Sequence, residues 1–150
     1  MPVNYIKSNF MHAVIARCSE RDCKLKLDGL SNYVVLKGEK ICRDHKICDC
    51  IIYIKKDHII ICMVELKSKT VDSSEVEEKL TNGSVIALDI LGRYDECMKV
   101  KFYHLVLSKR WRTSEYRVLT SRKIIVRGKK YDIIPKRCGV SLSEVVSDLK

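Results

Sequence analysis

Three charged residues, Asp49, Glu65 and Lys67, stand out because they interrupt two apolar stretches of the chain. These stretches, residues 46–54 and 59–66, are rich in β-branched residues and are separated by four polar residues, which predicts a β-hairpin. Side chains alternate between the two faces of a strand, so Glu65 and Lys67 must share a face. A hairpin centred on residue 57 places Asp49 almost opposite Glu65, with Cβ atoms ~5 Å apart.

Two carboxylates held this close repel each other unless a cation lies between them. Oxygen ligands of this kind suit Mg²⁺ or Mn²⁺, so the pattern predicts a divalent metal site at Asp49 and Glu65. Lys67 could orient or deprotonate a water for attack on a phosphodiester, while the metal neutralises the developing charge. The alternative is that Glu65 and Lys67 are ordinary charges at a strand end and that Asp49 pairs with a lysine.

An Asp followed, after fifteen intervening residues, by Glu-x-Lys at the end of an apolar strand resembles the PD-(D/E)xK nuclease superfamily. The resemblance covers about residues 4–107. It implies a restriction-endonuclease-like core and a metal-dependent endonuclease that acts on nucleic acid, with DNA favoured over RNA and branched DNA included. It also implies that Asp49 and Glu65 bind Mg²⁺ or Mn²⁺, that the Leu66 carbonyl adds a ligand, and that Lys67 is the catalytic lysine.

The chain departs from that superfamily in several positions. Cys48 precedes Asp49 where many members have Pro, and residues 4–17 contain no acid, which leaves Glu20 as the nearest candidate for a further metal ligand. The N-terminal Arg-Gly and Glu-Arg motif of archaeal Holliday-junction resolvases is absent, and the chain has no Gln for a RecB-like signature. Many superfamily members are homodimers, and the sequence leaves that state open.

The remaining periodicity predicts an α/β fold, with a mixed central β-sheet flanked by helices. We expect a single domain over residues 1–150, with a core at about 4–107 and a basic C-terminal extension at 108–150 that forms a β-hairpin and a terminal helix. Ser74 with Glu77, and Ser141 with Glu144, predict capping boxes at two helix starts. The expected elements are a helix at 4–17, a strand at 33–36, a helix from 73 to 94 that Asn82 and Gly83 interrupt, a strand at 100–107, a helix at 114–121 and strands at 123–126 and 131–134.

The positive charge is concentrated in one third of the chain. Of the formal net charge of +10, residues 99–137 contribute thirteen Lys or Arg against two acids. Such a concentration favours binding to a nucleic acid, although a solvated basic surface is the alternative. A non-catalytic nucleic-acid-binding protein on the same scaffold is therefore the second hypothesis for function. The candidate nucleic-acid-binding residues are Lys69, Lys109, Arg110, Trp111, Arg112, Arg122, Lys123, Arg127, Lys129 and Lys130.

Trp111 has two interpretations among these cations. Its ring could stack on a base, or it could close the edge of the core with arginines packed on its face. No apolar run approaches the ~20 residues of a membrane span, and the N-terminus lacks a signal-peptide pattern, so we expect an intracellular protein.

The chain has no Gln and only four Asn, a composition that is typical of heat-adapted proteins. Eight cysteines are unusual in such a composition. We expect Cys48, Cys50 and Cys62 to point away from the Asp49 face and to pack as small apolar side chains. Two alternatives remain open: disulfides, such as Cys18–Cys23 or Cys18–Cys42, which hyperthermophiles keep inside the cell, and a zinc site. The zinc ligands would come from Cys42, His45, Cys48 and Cys50, with Cys18 and Cys23 upstream.

Overall fold

A computed structural model describes residues 1–44, 46–67 and 70–149. The α-helices of these residues are α1 (Pro2–Asn9), α2 (Gly38–Ile41), α3 (Ser73–Tyr94), α4 (Thr113–Ser121) and α5 (Leu142–Val145). The β-strands are β1 (Val14–Ile15), β2 (Cys18–Glu20), β3 (Cys23–Leu25), β4 (Tyr33–Lys37), β5 (Cys50–Lys55), β6 (Ile59–Lys67), β7 (Val100–Ser108), β8 (Lys123–Val126) and β9 (Lys129–Arg137). Within the described ranges, no helix has the length and apolar character needed to cross a membrane.

The strands form a seven-stranded central sheet in the order β1-β4-β5-β6-β7-β9-β8, and β2 pairs with β3 in a separate hairpin. The β6–β7 and β7–β9 pairs are parallel, whereas the other pairs of the central sheet are antiparallel. The sheet is therefore mixed, which confirms the predicted α/β fold with a mixed central sheet.

Both faces of the sheet centre are covered. Side chains of α1 and α3 pack against one face, and the β2–β3 hairpin packs with α5 against the other. Strand β5 is buried from Cys50 to Ile54, and strand β6 from Ile59 to Leu66. Burial on both faces explains why these two strands are continuous apolar runs instead of alternating sequences.

The first predicted helix is wrong in its second half. Helix α1 ends at Asn9, and after a 3₁₀ turn the chain continues as β1, in which Val14 pairs with Leu36 of β4. Val14 fits the helical period of residues 4–17, but its pairing with a strand distant in sequence overrides that local pattern.

The predicted helix starts also differ in detail. Asp72, not Ser74, is the N-cap of α3, since its carboxylate accepts hydrogen bonds from the Ser74 and Glu75 N–H groups. The hydroxyl of Ser141 donates to Asp28 and makes no cap for α5. Helix α3 runs through Asn82 and Gly83 without a break.

The basic C-terminal hairpin forms as predicted, and it joins the central sheet. Strand β9 lies parallel to β7, with His104 opposite Ile133 and Ser108 opposite Arg137. The C-terminal segment thus adds β9 and β8 to the sheet and shares its core through Ile124.

Two disulfides attach the β2–β3 hairpin to the rest of the chain, Cys18–Cys50 and Cys23–Cys138. The predicted alternatives Cys18–Cys23 and Cys18–Cys42 are therefore wrong in their pairing. The spacing of the cysteines in the sequence does not identify the partner of Cys18 or of Cys23, because both bonds join the hairpin to distant segments. Cys62 is a buried thiol, and burial raises its pKa well above the usual value, in agreement with a packed apolar role.

Candidate active site

The hairpin of β5 and β6 has the register that the sequence predicts. Its pairs run from Cys50 opposite Val64 to Lys55 opposite Ile59, which centres the hairpin on residue 57. Asp49 directly precedes β5, and its Oδ2 accepts a hydrogen bond of 2.7 Å from the Leu66 N–H. The structure therefore brings Asp49 to the end of β6 that carries Glu65.

The backbone before β5 is fixed between two glycines. The Gly38 N–H donates to the Asp49 carbonyl at 2.9 Å, and a Cβ on Gly38 would overlap the Cys48 carbonyl oxygen. A Cβ on Gly83 of α3 would lie 2.6 Å from the Cys48 Sγ. A larger residue at Gly38 would therefore displace the backbone of the segment that carries Asp49, and one at Gly83 would displace the Cys48 side chain.

Cys48 lies on the α3 side of the sheet, so the prediction that it points away from the Asp49 face is wrong. Residues 46–49 are not part of a strand, and strand alternation does not apply to them. The predicted direction is correct for Cys50 and Cys62, which pack on the opposite face, but Cys50 is bonded to Cys18 and is not the packed thiol that was expected. Burial, together with Glu65 and Asp49, raises the pKa of the Cys48 thiol well above its usual value.

Glu65 is the buried centre of the site, with only 1% of its surface exposed. Its Oε2 accepts a hydrogen bond from Lys79 of α3 at 3.2 Å and forms an ion pair with Lys67 at 3.0 Å. Glu75, one helical turn before Lys79, lies 3.1 Å from Lys79 and 3.9 Å from Lys67. The other oxygen, Glu65 Oε1, is buried without a hydrogen-bond partner among the described residues.

Asp49 has an unusual protonation equilibrium. Burial first, and the neighbouring Glu65 carboxylate second, raise the pKa of Asp49 to about 7, and the Leu66 N–H opposes that rise. A bound cation would have the reverse effect, because it favours the charged carboxylate. Asp49 is thus a group whose charge near neutral pH depends on whether a cation is present.

Glu20 reaches the same region from the β2–β3 hairpin. It lines a small cavity of about 120 Å³ together with Asp49, Lys37, Arg17 and other residues. One water occupies ~30 Å³ in the liquid, so this space can hold a few waters. The sequence suggests Glu20 as a further metal ligand, and the structure brings this residue to the Asp49 side of the site on a strand and not on a helix.

The donor set fits a hard divalent cation in part. In residues 1–44, 46–67 and 70–149, no group of three or more His, Cys, Asp or Glu side chains lies close enough together to hold a metal ion. The Asp49–Glu65 pair nevertheless offers carboxylate oxygens, including the unpartnered Glu65 Oε1, which is what Mg²⁺ or Mn²⁺ requires when waters complete its shell. Of the alternative zinc ligands, Cys18, Cys23 and Cys50 are used by disulfides, and His45 lies outside the described residues.

Several of the predicted nucleic-acid-binding cations lie at the site end of the sheet. Lys67 of β6 is opposite Ser108 of β7, which is opposite Arg137 of β9, so the parallel strands end together. Lys109, Arg110 and Arg112 follow β7 at this end and are exposed. Lys136 and Arg137, which the sequence analysis did not single out, are exposed at the same end.

Other predicted cations lie elsewhere or are paired. Lys129 is the first residue of β9 and lies six residues before Pro135. Pro135 pairs with Val106 of β7, and Val106 pairs in turn with Glu65 of β6. Lys129 and its neighbours Arg127 and Lys130 are therefore ~20 Å along the sheet from the site. Three cations form ion pairs, namely Lys109 with Asp22, Arg122 with Glu77 and Lys123 with Asp132. Lys69 lies outside the described residues.

Trp111 is held against the protein. Its indole N–H donates to the Lys136 carbonyl at 2.9 Å, and its ring packs on the core and edge-on to Tyr116. These contacts favour the interpretation in which Trp111 closes the edge of the core. In the described part of the chain, no Arg or Lys lies over its ring.

A second group of cations borders the site from the α2 side. Lys40, Arg43 and Lys46 line a groove of about 520 Å³ together with Lys79, whose ammonium group binds Glu65. Sequence reasoning missed these residues, because residues 1–98 have no net charge and the cluster is local. It also missed Lys79, although the i, i+4 spacing of Glu75 and Lys79 on the helix after Glu65 is a detectable signal.

Comparisons with protein-family models, curated proteins and solved structures found no match to this chain. Any assignment of function therefore depends on the geometry of the site.

Proposed function

We propose that this protein is a metal-dependent nuclease that hydrolyses phosphodiester bonds in nucleic acid, with DNA favoured over RNA. The observation that carries the proposal is the convergence of Asp49, Glu65 and Lys67 at one end of the sheet. There, a buried carboxylate has an unpartnered oxygen and a neighbouring carboxyl has a raised pKa. Perturbed carboxyl groups beside exposed cations are typical of sites that process anionic substrates.

Asp49 and Glu65 would hold a Mg²⁺ or Mn²⁺ ion. The Leu66 carbonyl would join them, because an extended residue directs its N–H and its carbonyl to the same side, and the Leu66 N–H faces Asp49. When bound, such an ion neutralises charge on the phosphoryl oxygens and lowers the pKa of a water.

If an ion bound the Glu65 carboxylate, Lys67 and Lys79 would lose Glu65 as their partner. Lys67, 3.0 Å from Glu65 Oε2, would position the attacking water or a phosphate oxygen. Lys79 has a second carboxylate, Glu75, and so remains paired at the edge of the site. Burial opposes the charge of Lys79, yet Glu65 and Glu75 together raise its pKa, so Lys79 stays cationic and suits phosphate binding.

The cations suggest a route for the substrate across this end of the sheet. Lys40, Arg43 and Lys46 lie on the α2 side of Glu65, and Lys136 and Arg137 lie on the β9 side. A phosphodiester backbone that passed between the two groups would cross Lys67. Cations on both sides of the site match a long polyanion better than a small phosphate ester.

The finer fold assignment belongs to the same proposal. Strands β4 to β7, with α1 before them and α3 between β6 and β7, have the order of helix, strand, hairpin, helix and strand that a restriction-endonuclease-like core requires. We infer that relation from element order and from the position of the Asp and Glu-x-Lys residues alone. An intracellular location follows from the same proposal, since such substrates are in the cell.

The test is a panel of labelled single-stranded, duplex, flap, junction and RNA substrates with Mn²⁺. We expect Asp49→Ala, Glu65→Ala and Lys67→Ala to abolish cutting of whichever substrate the parent protein cleaves. Glu78→Gln, on the exposed side of α3, is the matched control and should cut normally. If all three alanine variants cut as well as the parent, the proposed site is wrong.

A second candidate function is nucleic-acid binding without catalysis. It is favoured by one observation: Lys67 and Lys79 already neutralise Glu65, so the site is charge-balanced without an ion. Calorimetry with Mn²⁺ separates the two functions. A nuclease should show a Mn²⁺ site that Glu65→Gln removes, whereas a pure binder should show binding to nucleic acid and no such site.

A further inference from the structure

A cleft of about 900 Å³ lies beside the β2–β3 hairpin, on the sheet face opposite α3. One wall is the hairpin with the residues that flank it, and the other is formed by Tyr33 of β4 and by the segment from Cys138 to Ser141. Sites for small ligands have volumes of roughly 300–1,000 Å³, so this cleft has the capacity of a binding site. The site at Glu65 does not use it.

The cleft has an excess of positive charge. Four exposed cations line it, and none of them forms an ion pair in the described part of the chain. They are Arg17, Arg21, Lys24 and Lys26. The two acids of the lining already have partners, since Asp22 pairs with Lys109 and Asp28 accepts a hydrogen bond from the Ser141 hydroxyl at 2.9 Å. Such a cleft attracts an anionic ligand.

The hairpin separates its cations from its apolar residues by strand alternation. Cys23 and Leu25 of β3 are buried, so Lys24 between them and Lys26 after them point outward. Ser19 of β2 is opposite Lys24 and is also exposed. Sequence reasoning missed this charged face, because the acids of residues 1–98 balance their cations in number.

Tyr33 adds an aromatic ring to the cleft, where it is half-buried, and Leu27 adds apolar surface. A positively charged groove with an aromatic side chain is the combination that binds single-stranded nucleic acid. The cations contact the phosphates, and an unpaired base stacks on the ring. A duplex keeps its base faces inside the stack, so the ring favours an unpaired strand.

The cleft is adjacent to the candidate active site. Arg17 and Ser19 line the cleft and also the small cavity beside Asp49. At the turn of the hairpin, Asp22 pairs at 2.9 Å with Lys109, which follows β7 at the site end of the sheet. A strand that leaves the cleft past Arg17 therefore arrives at the end of the sheet that carries the site.

The walls of the cleft are fixed to one another. The Cys23–Cys138 disulfide joins the hairpin to the opposite wall, and the Gly139 N–H donates to the Lys24 carbonyl at 2.7 Å. The Cys18–Cys50 disulfide joins β2 to the start of β5. A preformed cleft loses little conformational freedom when a ligand binds, which favours affinity.

We propose that the cleft beside the β2–β3 hairpin binds a single-stranded segment of nucleic acid next to the point of cleavage. Arg21 and Lys24 contact its phosphates, and one base stacks on Tyr33. The proposal rests on the proposed function, because the nuclease site is what places this segment beside a point of cleavage. It adds the substrate class, which is nucleic acid with an unpaired strand, such as a flap or a single strand, instead of continuous duplex.

The first experiment tests the aromatic contact by fluorescence anisotropy, with a labelled oligothymidylate of about ten nucleotides and a chelator present. Tyr33→Leu, which keeps an apolar side chain against the core, should weaken binding by about fivefold or more. Tyr33→Phe keeps the ring and should bind as the parent does. Equal affinities of the two variants would overturn the stacking role.

The second experiment tests the cations. Arg21→Ala with Lys24→Ala should flatten the slope of log affinity against log salt concentration by about 1.4 for the oligothymidylate. Lys55→Ala with Lys56→Ala, at the opposite end of the β5–β6 hairpin, is the matched control and should leave the slope unchanged. A duplex of the same length should lose less affinity than the single strand in the Arg21 and Lys24 variant. Equal losses for both would show a general basic surface and overturn the proposal.

The failure of this proposal is distinguishable from the failure of the nuclease. Binding is measured without metal, so it does not depend on Asp49 and Glu65. If the parent cuts nucleic acid while the Tyr33→Leu and Arg21→Ala/Lys24→Ala variants bind the single strand and cut a flap as the parent does, the cleft proposal is wrong and the nuclease remains. If these variants lose single-strand binding and the parent cuts no substrate, strand binding in the cleft is supported and the nuclease is wrong.

Discussion

Replacing Asp49 with asparagine should make the metal-free protein more stable above neutral pH. The pKa of Asp49 is raised from 3.8 to about 7 in the folded chain, so the folded state holds a proton that the unfolded state releases between these values. The parent protein should therefore lose stability as the pH rises from about 4 to about 7, and the full loss is present above the folded pKa. The Asp49→Asn variant has no charge at this position, so it avoids that loss while the new amide oxygen can still accept from the Leu66 N–H.

The magnitude follows from the pKa change. A difference of about three pH units corresponds to ~4 kcal/mol as an upper limit. Asp49 is only half-buried and faces a cavity with room for water, so screening should reduce the gain to about 2 kcal/mol. For a chain of this length, that gain is equivalent to a rise of roughly 4–8 °C in melting temperature.

The assay is thermal unfolding by circular dichroism from about pH 4 to about pH 8, with a chelator present. Asp57→Asn, in the exposed turn of the same hairpin, is the control and should match the parent at every pH. Saturating Mn²⁺ should reverse the order, because the parent gains stability from the ion and the variant gains less. A variant no more stable than the parent near pH 8, or one whose advantage persists unchanged near pH 4, would refute the argument that burial and the neighbouring Glu65 carboxylate raise the pKa of Asp49.

Two further outcomes test the packing around the site and the substrate route. Gly83→Ala should destabilise the protein by about 1–3 kcal/mol despite the better helix propensity of Ala, since its Cβ would meet the Cys48 Sγ at 2.6 Å. Gly92→Ala in the same helix, where a Cβ meets nothing within 4 Å, should stabilise by about 0.5–1 kcal/mol in denaturant unfolding, and equal effects at both glycines would contradict the packing argument. Lys136→Ala with Arg137→Ala should lower the number of counterions released on nucleic-acid binding by about two, as read from the slope of log affinity against log salt concentration. Lys129→Ala with Lys130→Ala, at the far end of β9, should lower that number less. Binding curves at several salt concentrations decide this point, and a larger loss from the Lys129 and Lys130 pair would move the substrate route to the other end of the sheet.

Local patterns in the sequence were sufficient for the centre of the fold. Two apolar runs around a short polar turn predict the β5–β6 hairpin, and its symmetry about residue 57 predicts that Asp49 faces Glu65. Strand alternation, which is a property of every extended chain, puts Lys67 on the face of Glu65, and the observed 3.0 Å contact agrees. Helix α3 and the hairpin of β8 and β9 are likewise visible as periodicity and turn residues.

Contacts between distant segments decided the rest. Lys79 reaches Glu65 only because α3 packs across β6, and Val14 leaves its helical pattern because β4 pairs with it. The partners of Cys18 and Cys23 depend on where the β2–β3 hairpin docks, which no spacing in the chain encodes. Periodicity and register follow from the geometry of one extended or helical segment, whereas docking follows from the shapes and charges of surfaces that meet only when the whole chain has folded.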